Sequence, residues 1–244
     1  IGYLPEGAPT YGDMTPESYL GFIAEIRGFD GAEKRRRVDS VVDKVDIRGV
    51  TRQPIDTLSK GFKRRVGLAQ AMLHDPEILI MDEPTDGLDP NQKHQVRSLI
   101  REMSQDRAII ISTHILEEVE AVCSRAIIIA HGRLLADGTP ADLLAQAQNH
   151  NAVLITVDAA AADNLRRNLE SVSGVTAVED VSFVGETNGV RRLRAQAAGG
   201  ATIADAVGEM LRATNTPVRE LFVERGALDD VFRKITAPED FADA

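Results

Sequence analysis

The first 145 residues alternate short apolar runs with longer segments of helical periodicity, and this alternation restricts the fold more than any other feature. The apolar runs at 77–81, 107–112 and 125–130 are typical of buried strands. Helical patterns at 91–104 and 115–122 lie between them. Strands that alternate with helices predict a doubly wound α/β domain with a parallel sheet, in which ligands bind at the carboxyl ends of the strands.

A helical insertion interrupts this α/β pattern near its beginning. Residues 16–48 have the periodicity of two helices with no strand between them, so we predict a helical subdomain over about 14–75. Four consecutive basic residues lie on it at 34–37. Because the chain as a whole is acidic, we interpret this run as a solvated helix face and not as a nucleic-acid site.

The second half of the chain has a different pattern, which predicts a second domain. A polar segment at 146–151 is the predicted linker between an α/β domain at 1–145 and a small domain at 152–236, which a tail at 237–244 follows. The predicted elements are strand 152–158, helix 160–171, strand 174–184, turn 185–189, strand 190–196, helix 202–214, strand 217–224 and a last helix at 228–235. The βαββαβ order predicts a ferredoxin-like α+β domain, which we interpret as regulatory or dimer-supporting.

Composition excludes several functional classes. The chain has 38 acidic and 28 basic residues, a net charge of -10, no Trp and 4% aromatic residues, which argues against a general nucleic-acid-binding surface. Its single cysteine, Cys123, cannot form an internal disulfide. Every apolar stretch is far shorter than the roughly 20 residues that span a bilayer. The predicted partners therefore do not include nucleic acid.

Two carboxylates follow the first apolar run directly. Four apolar residues at 78–81 are typical of a central strand, and Asp82 and Glu83 come at its carboxyl end. One carboxylate at such a position can hold Mg²⁺ together with substrate phosphates, and its neighbour can orient or deprotonate an attacking water. The alternative is a pair of acids at an ordinary strand-to-loop junction, and these six residues alone do not decide between the two.

Four further segments decide between them. Gly-Tyr-Leu-Pro-Glu stands at 2–6, Leu-Ser-Lys-Gly-Phe at 58–62, Asp-Glu-Pro-Thr-Asp-Gly-Leu-Asp-Pro at 82–90 and Ser-Thr-His at 112–114. Ser59 is placed to cap a helix over 60–73, whose start would attract a phosphate, and the basic residues of its first turn would be relieved by a bound anion. In order and spacing, the region from 2 to about 144 resembles the nucleotide-binding subunit of ABC transporters.

The resemblance implies a P-loop NTPase fold, an ATPase activity and ATP with Mg²⁺ as cofactors. It implies that Asp82 holds Mg²⁺ through water, that Glu83 polarises the attacking water and that His114 contacts the γ-phosphate. It also implies that the signature residues reach the nucleotide of a second subunit in a head-to-tail homodimer. The signature, Q-loop and D-loop positions are Ser59, Lys60, Gly61, Glu6 and Asp89.

The sequence departs from the family pattern at three points. Lys60 stands where many relatives have Gly, and Glu6 where the Q-loop usually has Gln, so that Glu6 is a second candidate Mg²⁺ ligand. No G-x-x-x-x-G-K-[ST] loop, the Walker A cradle for the phosphates, occurs in the sequence. We therefore expect a chain truncated at its N-terminus, which binds ATP poorly and is inactive alone, within a full-length protein that is an ATPase.

A finer resemblance is to the ATPase subunits of ABC-2 type exporters, including multidrug, copper-processing and gliding-motility relatives. It depends on the segments at 2–6 and 58–62 and on Ala-Leu-Asp-Asp-Val-Phe at 227–232. It implies a transmembrane permease as partner, docked near 14–48, and a cytoplasmic location on the inner face of the membrane. Two alternatives stay open: a soluble ABC ATPase without a transport role, and a truncated dimerisation module that does not hydrolyse ATP.

Overall fold

The computed structural model describes residues 1–7, 11–181 and 189–237. These residues belong to two compact units, Ile1–Val122 and Cys123–Ala244. The last part of the predicted strand 174–184, most of the predicted turn at 185–189 and nearly all of the predicted tail lie outside the described residues.

A three-stranded parallel sheet forms the base of the first unit. Strands β1 (Gly2–Leu4), β2 (Ile78–Asp82) and β3 (Ala108–Ser112) lie side by side in that order. In the register, Leu4 is opposite Met81 and Asp82 is opposite Ser112, so the carboxyl ends of all three strands lie at one edge. The parallel arrangement predicted from the apolar runs is confirmed for β2 and β3.

Among the described residues of the first unit, five helices accompany this sheet. They are α1 (Pro16–Ile26), α2 (Gly31–Lys44), α3 (Lys60–Met72), α4 (Pro90–Met103) and α5 (Leu116–Val122), with short 3₁₀ turns at Arg48–Val50 and Ile55–Thr57. Helices α1 and α2 follow one another without a strand in the described segment 11–59, as the helical insertion predicts. Three of the four basic residues at 34–37 form ion pairs with Glu25 and Glu33, which agrees with a solvated helix face.

The core of the first unit lies between the sheet and the helices. Alternate residues of β1 and β2, namely Leu4, Leu79 and Met81, are fully buried, because successive side chains of a strand point to opposite faces. Helix α3 packs against this face through its apolar stripe, in which Val66 and Ala69 are also fully buried. The core therefore fixes the start of α3 relative to the carboxyl ends of β1 and β2.

The second unit begins with a hairpin. Strands β4 (Ala126–Ala130) and β5 (Arg133–Gly138) are antiparallel and form a separate two-stranded sheet. We predicted 125–130 as a third strand of the parallel sheet, and this is wrong. His131 and Gly132 between the strands both have positive φ, of 50° and 72°, as a two-residue type I′ hairpin turn requires. That turn returns the chain antiparallel to β4.

A four-stranded antiparallel sheet follows the short helix α6 (Pro140–Leu144). The elements are β6 (Val153–Asp158), α7 (Ala159–Glu170), β7 (Val175–Asp180), β8 (Val190–Ala197), α8 (Ala204–Ala213), β9 (Glu220–Val223) and α9 (Leu228–Ile235). The strands lie in the order β7-β8-β6-β9. One face of β6 is buried under α7 and α8. The predicted βαββαβ element order and the last helix are confirmed.

Residues 146–151, the predicted linker, lie within the second compact unit. The division between the compact units lies between Val122 and Cys123, not at 146–151. The segment is held to distant parts of the second unit, because His150 Nδ1 lies 2.8 Å from the Arg225 carbonyl oxygen and Asn151 N–H donates to Glu224 O at 2.9 Å. Polar residues predicted a linker, but here their side chains and backbone supply tertiary hydrogen bonds. The functional division into domains stays a prediction.

Candidate functional site

The carboxyl edge of the parallel sheet brings Asp82 and Glu83 beside the end of β3. The Ser112 hydroxyl donates a hydrogen bond to Asp82 Oδ1. Glu83 N–H donates to the Ser112 carbonyl oxygen at 2.9 Å, which continues the pairing of β2 with β3 by one residue. Glu83 has φ of +47°, in the left-handed region that non-glycine residues seldom adopt. The backbone therefore turns sharply at Glu83, next to the last strand residue.

His114 lies against the carboxylate of Glu83. Its backbone N–H donates to Glu83 Oε1 at 2.9 Å, and its Nδ1 lies 2.7 Å from the same oxygen. The Thr113 hydroxyl donates to Glu83 Oε2 at 3.1 Å. The side chain of Glu83 is 15% exposed and that of His114 is 75% exposed. The two predicted catalytic residues are thus in direct contact, with the imidazole open to solvent.

The contact with Glu83 predicts a pH dependence for His114. Its hydrogen bond with Glu83, and then the charge of that carboxylate, raise the pKa of His114 above its ordinary value. Because the pKa is raised in the folded state, the pair stabilises the fold fully below the ordinary pKa, and this stabilisation is lost as pH rises through the folded pKa. NMR titration should give a His114 pKa above the ordinary value of histidine. Glu83→Gln should bring it down, and an unchanged value would contradict the contact.

The signature residues stand at the start of α3. Ser59 is the N-cap, and its hydroxyl accepts from the Phe62 N–H at 3.4 Å. A methyl group on Gly61 would come within 2.4 Å of the end of the Gln92 side chain, which would then have to move. Asp89 caps α4 by accepting from Gln92 N–H at 2.9 Å. Asp89, predicted as the D-loop position, is thus the N-cap of α4.

Lys60 contacts a residue that sequence reasoning did not select. Its ammonium group lies 2.9 Å from Asp86 Oδ2, and its hydrogen bond lowers the pKa of that carboxyl. Gly87 has φ of +65°, and a methyl group there would overlap the Lys60 side chain. The signature lysine is therefore paired within its own chain, across the loop that follows Glu83. In the sequence, only the acidic character of Asp86 itself indicates this contact.

We expected the basic residues after the signature to lie on the surface, but two of them are buried. We expected Lys63, Arg64 and Arg65 to face an anion at the helix start. Arg64 and Arg65 are 6% and 9% exposed, and both donate hydrogen bonds to backbone carbonyls. Lys63 is partly exposed and lies 3.8 Å from Asp56 Oδ1. The burial of the two arginines removes them from any phosphate-facing surface.

Glu6 follows β1 and is exposed. The carbonyl groups on either side of it, Pro5 O and Gly7 O, accept hydrogen bonds from Arg64 at 2.8 and 2.6 Å. Among the described residues, no group of three or more His, Cys, Asp or Glu side chains is placed to hold a metal ion. Any cation at this edge would therefore take its remaining ligands from water or from a bound molecule.

Comparisons with known proteins show which families and proteins this chain is similar to. The family model described as "ABC transporter" matches residues 1–86. An ABC transporter ATP-binding protein of Synechocystis sp. is 37% identical over 157 residues, which are 63% of this chain and 44% of that protein. The linearmycin resistance ATP-binding protein LnrL of Bacillus subtilis is 32% identical over 158 residues, 64% of this chain and 51% of that protein. The chain spans about half the length of the curated relatives that it matches.

A solved structure shows the same similarity. The protein cbiO1 from Clostridium perfringens, part of the ABC transporter complex cbiONQ, superposes with a TM-score of 0.55 at 29% identity. The match covers 60% of this chain and 59% of that one. None of the helices in the described ranges combines the length and the apolar character that crossing a membrane requires.

Proposed function

The chain belongs, through its first 86 residues, to the ABC transporter family, and on this premise we propose that it is the ATP-binding and ATP-hydrolysing subunit of an ABC-2 type exporter. One observation carries the proposal. Glu83 and His114 are in contact at the carboxyl edge of a parallel sheet, where Asp82 stands next to them. Ligands of open α/β sheets bind at this edge.

Glu83 is the proposed catalytic base. Its two carboxylate oxygens are oriented by Thr113 and His114, so the side chain is fixed before a substrate arrives. A fixed carboxylate can accept the proton of an attacking water at the moment when the bond to phosphorus forms. His114, with its exposed imidazole, is the proposed contact for the γ-phosphate. The chemistry therefore needs little movement of these two side chains.

The side chains of Asp82, the proposed Mg²⁺ ligand, and of the neighbouring Ser112 suit a Mg²⁺ ion. Mg²⁺ uses one or two carboxylates together with waters and substrate phosphates. The Asp82 carboxylate and the Ser112 hydroxyl supply hard oxygen atoms at the sheet edge. When bound, the ion neutralises charge on the phosphates. Glu6 is the second candidate, at the neighbouring end of β1.

The signature residues have their proposed role in a second subunit. Ser59, Lys60 and Gly61 lie at the N-terminus of α3, where free backbone N–H groups and the helix dipole favour an anion. We therefore propose that they contact ATP held by the partner chain in a head-to-tail homodimer. In this arrangement Lys60 leaves Asp86 when it binds phosphate, so the ion pair within the chain competes with the nucleotide.

In a full-length protein that supplies the Walker A loop, the dependence of ATP turnover on protein concentration tests this function. Because each site combines two chains, the specific activity of the protein should rise with its concentration until the dimer is saturated. Removal of Mg²⁺ with EDTA should abolish the activity, and adding excess Mg²⁺ should restore it. A full-length protein that shows no ATP turnover at any concentration, with or without its membrane partner, would contradict the proposal.

An aromatic patch on the helical insertion supports a permease as partner. Tyr11 and Phe22 are 57% and 38% exposed, and their ring centroids are 5.9 Å apart in an edge-to-face contact. Ile26, one turn further along α1, is 65% exposed. Exposed aromatic and aliphatic groups that lie together mark surfaces for protein partners. This is the segment where we predict that the permease docks, and the protein is then peripheral on the inner membrane face.

Phe22→Asp should separate permease binding from ATP hydrolysis. A charge placed in an apolar contact should weaken association with the membrane partner by about tenfold or more, as loss of an aromatic anchor does. ATP turnover in the absence of the permease should stay at the parental level. Phe222→Asp, at an aromatic residue of β9 that is 60% exposed, is the matched control and should leave association unchanged. Parental co-purification of Phe22→Asp with the permease would place docking elsewhere.

A further inference from the structure

Arg64 is the most heavily hydrogen-bonded charged side chain near the site. Its Nη1 donates to Pro5 O at 2.8 Å and to Gly7 O at 2.6 Å, and its Nε donates to Pro84 O at 3.3 Å. Its Nη2 donates to the carbonyl oxygens of Asp82 and Glu83. A guanidinium group has five N–H bonds, and here each has a backbone acceptor. The residue is 6% exposed, so water does not compete for these donors.

These acceptors belong to the two segments that carry the acidic residues of the site. Pro5 and Gly7 flank Glu6 after β1, whereas residues 82–84 contain the last residue of β2 and the turn after it. Arg64 lies on α3, one turn beyond the signature residues. A single side chain therefore joins the start of the signature helix to the ends of two strands, through bonds to the main chain and not to side chains.

The bond to the Glu83 carbonyl oxygen bears on the conformation of that residue. Glu83 has a left-handed φ, which non-glycine residues seldom adopt and which persists only where its surroundings hold it. Its N–H is held by Ser112 O, and its carbonyl oxygen accepts from Asp86 N–H at 3.2 Å and from Arg64. This conformation directs the Glu83 side chain to His114. Without Arg64, one of the groups that hold the peptide in this orientation is missing.

The guanidinium group of Arg64 keeps its positive charge although it is buried. Desolvation lowers its pKa, while the nearby carboxylates of Asp86, Asp82 and Glu83 raise it. Because an arginine side chain remains protonated in proteins, the guanidinium keeps its charge and all five donors. The carbonyl dipoles that converge on it compensate for the lost hydration, as a buried charge requires.

We infer that Arg64 is a positioning residue, which holds Glu83 in the orientation that meets His114 and ties it to the segment of Glu6. The effect of Arg64 on turnover, as one part of this inference, rests on the proposed role of Glu83. The structural part of the inference does not, because it concerns only the contact between Glu83 and His114. A lysine at 64 has three donors and no planar fork, and cannot serve five carbonyls on two segments.

The ¹⁵N signal of His114 Nδ1 tests the structural part. Spectra of the ¹⁵N-histidine-labelled chain are recorded at one fixed neutral pH without nucleotide, and the signal is assigned with His114→Ala. Glu83→Gln defines the change in chemical shift when the carboxylate partner is lost. Arg64→Lys and Arg64→Gln should each produce at least half of that change. A general loss of stability would not move this signal while the protein stays folded.

Arg65→Lys is the matched control. Arg65 is the next residue of α3 and is nearly as buried, but it donates to Val45 O, Asp46 O and Gln95, away from the sheet edge. Replacement of Arg65 by lysine should leave the ¹⁵N chemical shift of His114 Nδ1 at its parental value. If the Arg64 variants leave the signal unchanged, or if Arg65→Lys moves it equally, Arg64 does not position Glu83. Thermal melts identify unfolded samples, and the milder Arg64→Lys is interpreted where Arg64→Gln does not fold.

Kinetics of a full-length protein that supplies the Walker A loop, taken as the parental protein, test the part that depends on the proposed function. Arg64→Lys should lower kcat for ATP by about 10²-fold, the cost of a misplaced catalytic group, and change KM by less than about threefold. Equal loss in Arg65→Lys would overturn the positioning role. If the parental protein shows no turnover, the proposed function fails, whereas the His114 signal still decides whether Arg64 holds Glu83.

Discussion

In a full-length protein that supplies the Walker A loop, Glu83→Gln is expected to nearly abolish ATP turnover while leaving ATP binding intact. The carboxylate accepts or orients the proton of the attacking water, and loss of such a group costs on the order of 10²–10⁴ in rate. The amide keeps the shape of the side chain. Its oxygen can still accept from His114 N–H, and its NH₂ can donate to the Thr113 hydroxyl, which is both a donor and an acceptor.

The bound but uncleaved nucleotide should then trap the closed dimer. We expect the mass of the Glu83→Gln protein to double with ATP and not with ADP, in a concentration-dependent manner visible by light scattering. Asp82→Asn is the contrasting variant, because it should weaken binding of Mg²⁺-ATP itself. The contrast separates the residue that acts on water from the residue that holds the ion.

Turnover of Glu83→Gln within about threefold of the parent would show that Glu83 is not the catalytic carboxylate, since that loss is far below the acid–base range. Asp89 and Glu6 would be the next candidates from the sequence. The structure favours Glu6 of these two. Asp89 uses its carboxylate to cap α4, whereas Glu6 is exposed after β1.

The sequence predicted the acidic edge of the sheet well because the relevant signals are local. An apolar run followed by two acids, and a second run followed by Ser-Thr-His, each place polar groups at the end of a strand. In a parallel pair both ends lie at one edge, so the contact between Glu83 and His114 follows once the strands are neighbours. The helix at Leu228–Ile235 was equally local, with acids in its first turn and basic residues in its last.

The buried arginines could not be predicted in the same way. Arginine is a surface residue on average, and its burial is favourable only where carbonyl groups converge on it. The acceptors of Arg64 lie 18–20 and 57–59 positions away along the chain, so no local pattern reports them. The pairing of Lys60 with Asp86, 26 positions away, has the same cause. By contrast, the hairpin at His131 and Gly132 was a local signal that the strand pattern obscured.

A second large effect is expected at a buried ion pair between α4 and α5. Arg97 forms two hydrogen bonds with the carboxylate of Glu118, at 3.0 and 2.6 Å, and the side chain of Glu118 is only 2% exposed. Arg97 also reaches Glu117, and its hydrogen bond with Glu118 raises its pKa. Arg97→Met should destabilise the first unit by about 3–5 kcal/mol, because it leaves a buried carboxylate without its partner.

Denaturant unfolding, followed by NMR signals of α4 and α5, measures this change for the first unit alone. Arg48→Met is the matched control in the same unit. Its guanidinium lies 2.5 Å from Asp43, but both side chains are more than half exposed, and water replaces the lost partner. We expect the control to unfold at the parental denaturant concentration. A control that loses as much stability as Arg97→Met would show that burial is not the cause.

The double variant Arg97→Met/Glu118→Leu separates the cost of an unpaired charge from the value of the pair. Replacing both members with apolar groups removes the buried carboxylate, so the stability should return to within about 1 kcal/mol of the parent or exceed it. Helix α5 begins two residues after His114, and its attachment to α4 through this pair holds the segment that carries the histidine. If the double variant is as unstable as Arg97→Met alone, the ion pair itself, and not the isolated charge, fixes α5. The His114 ¹⁵N signal should then move in both variants.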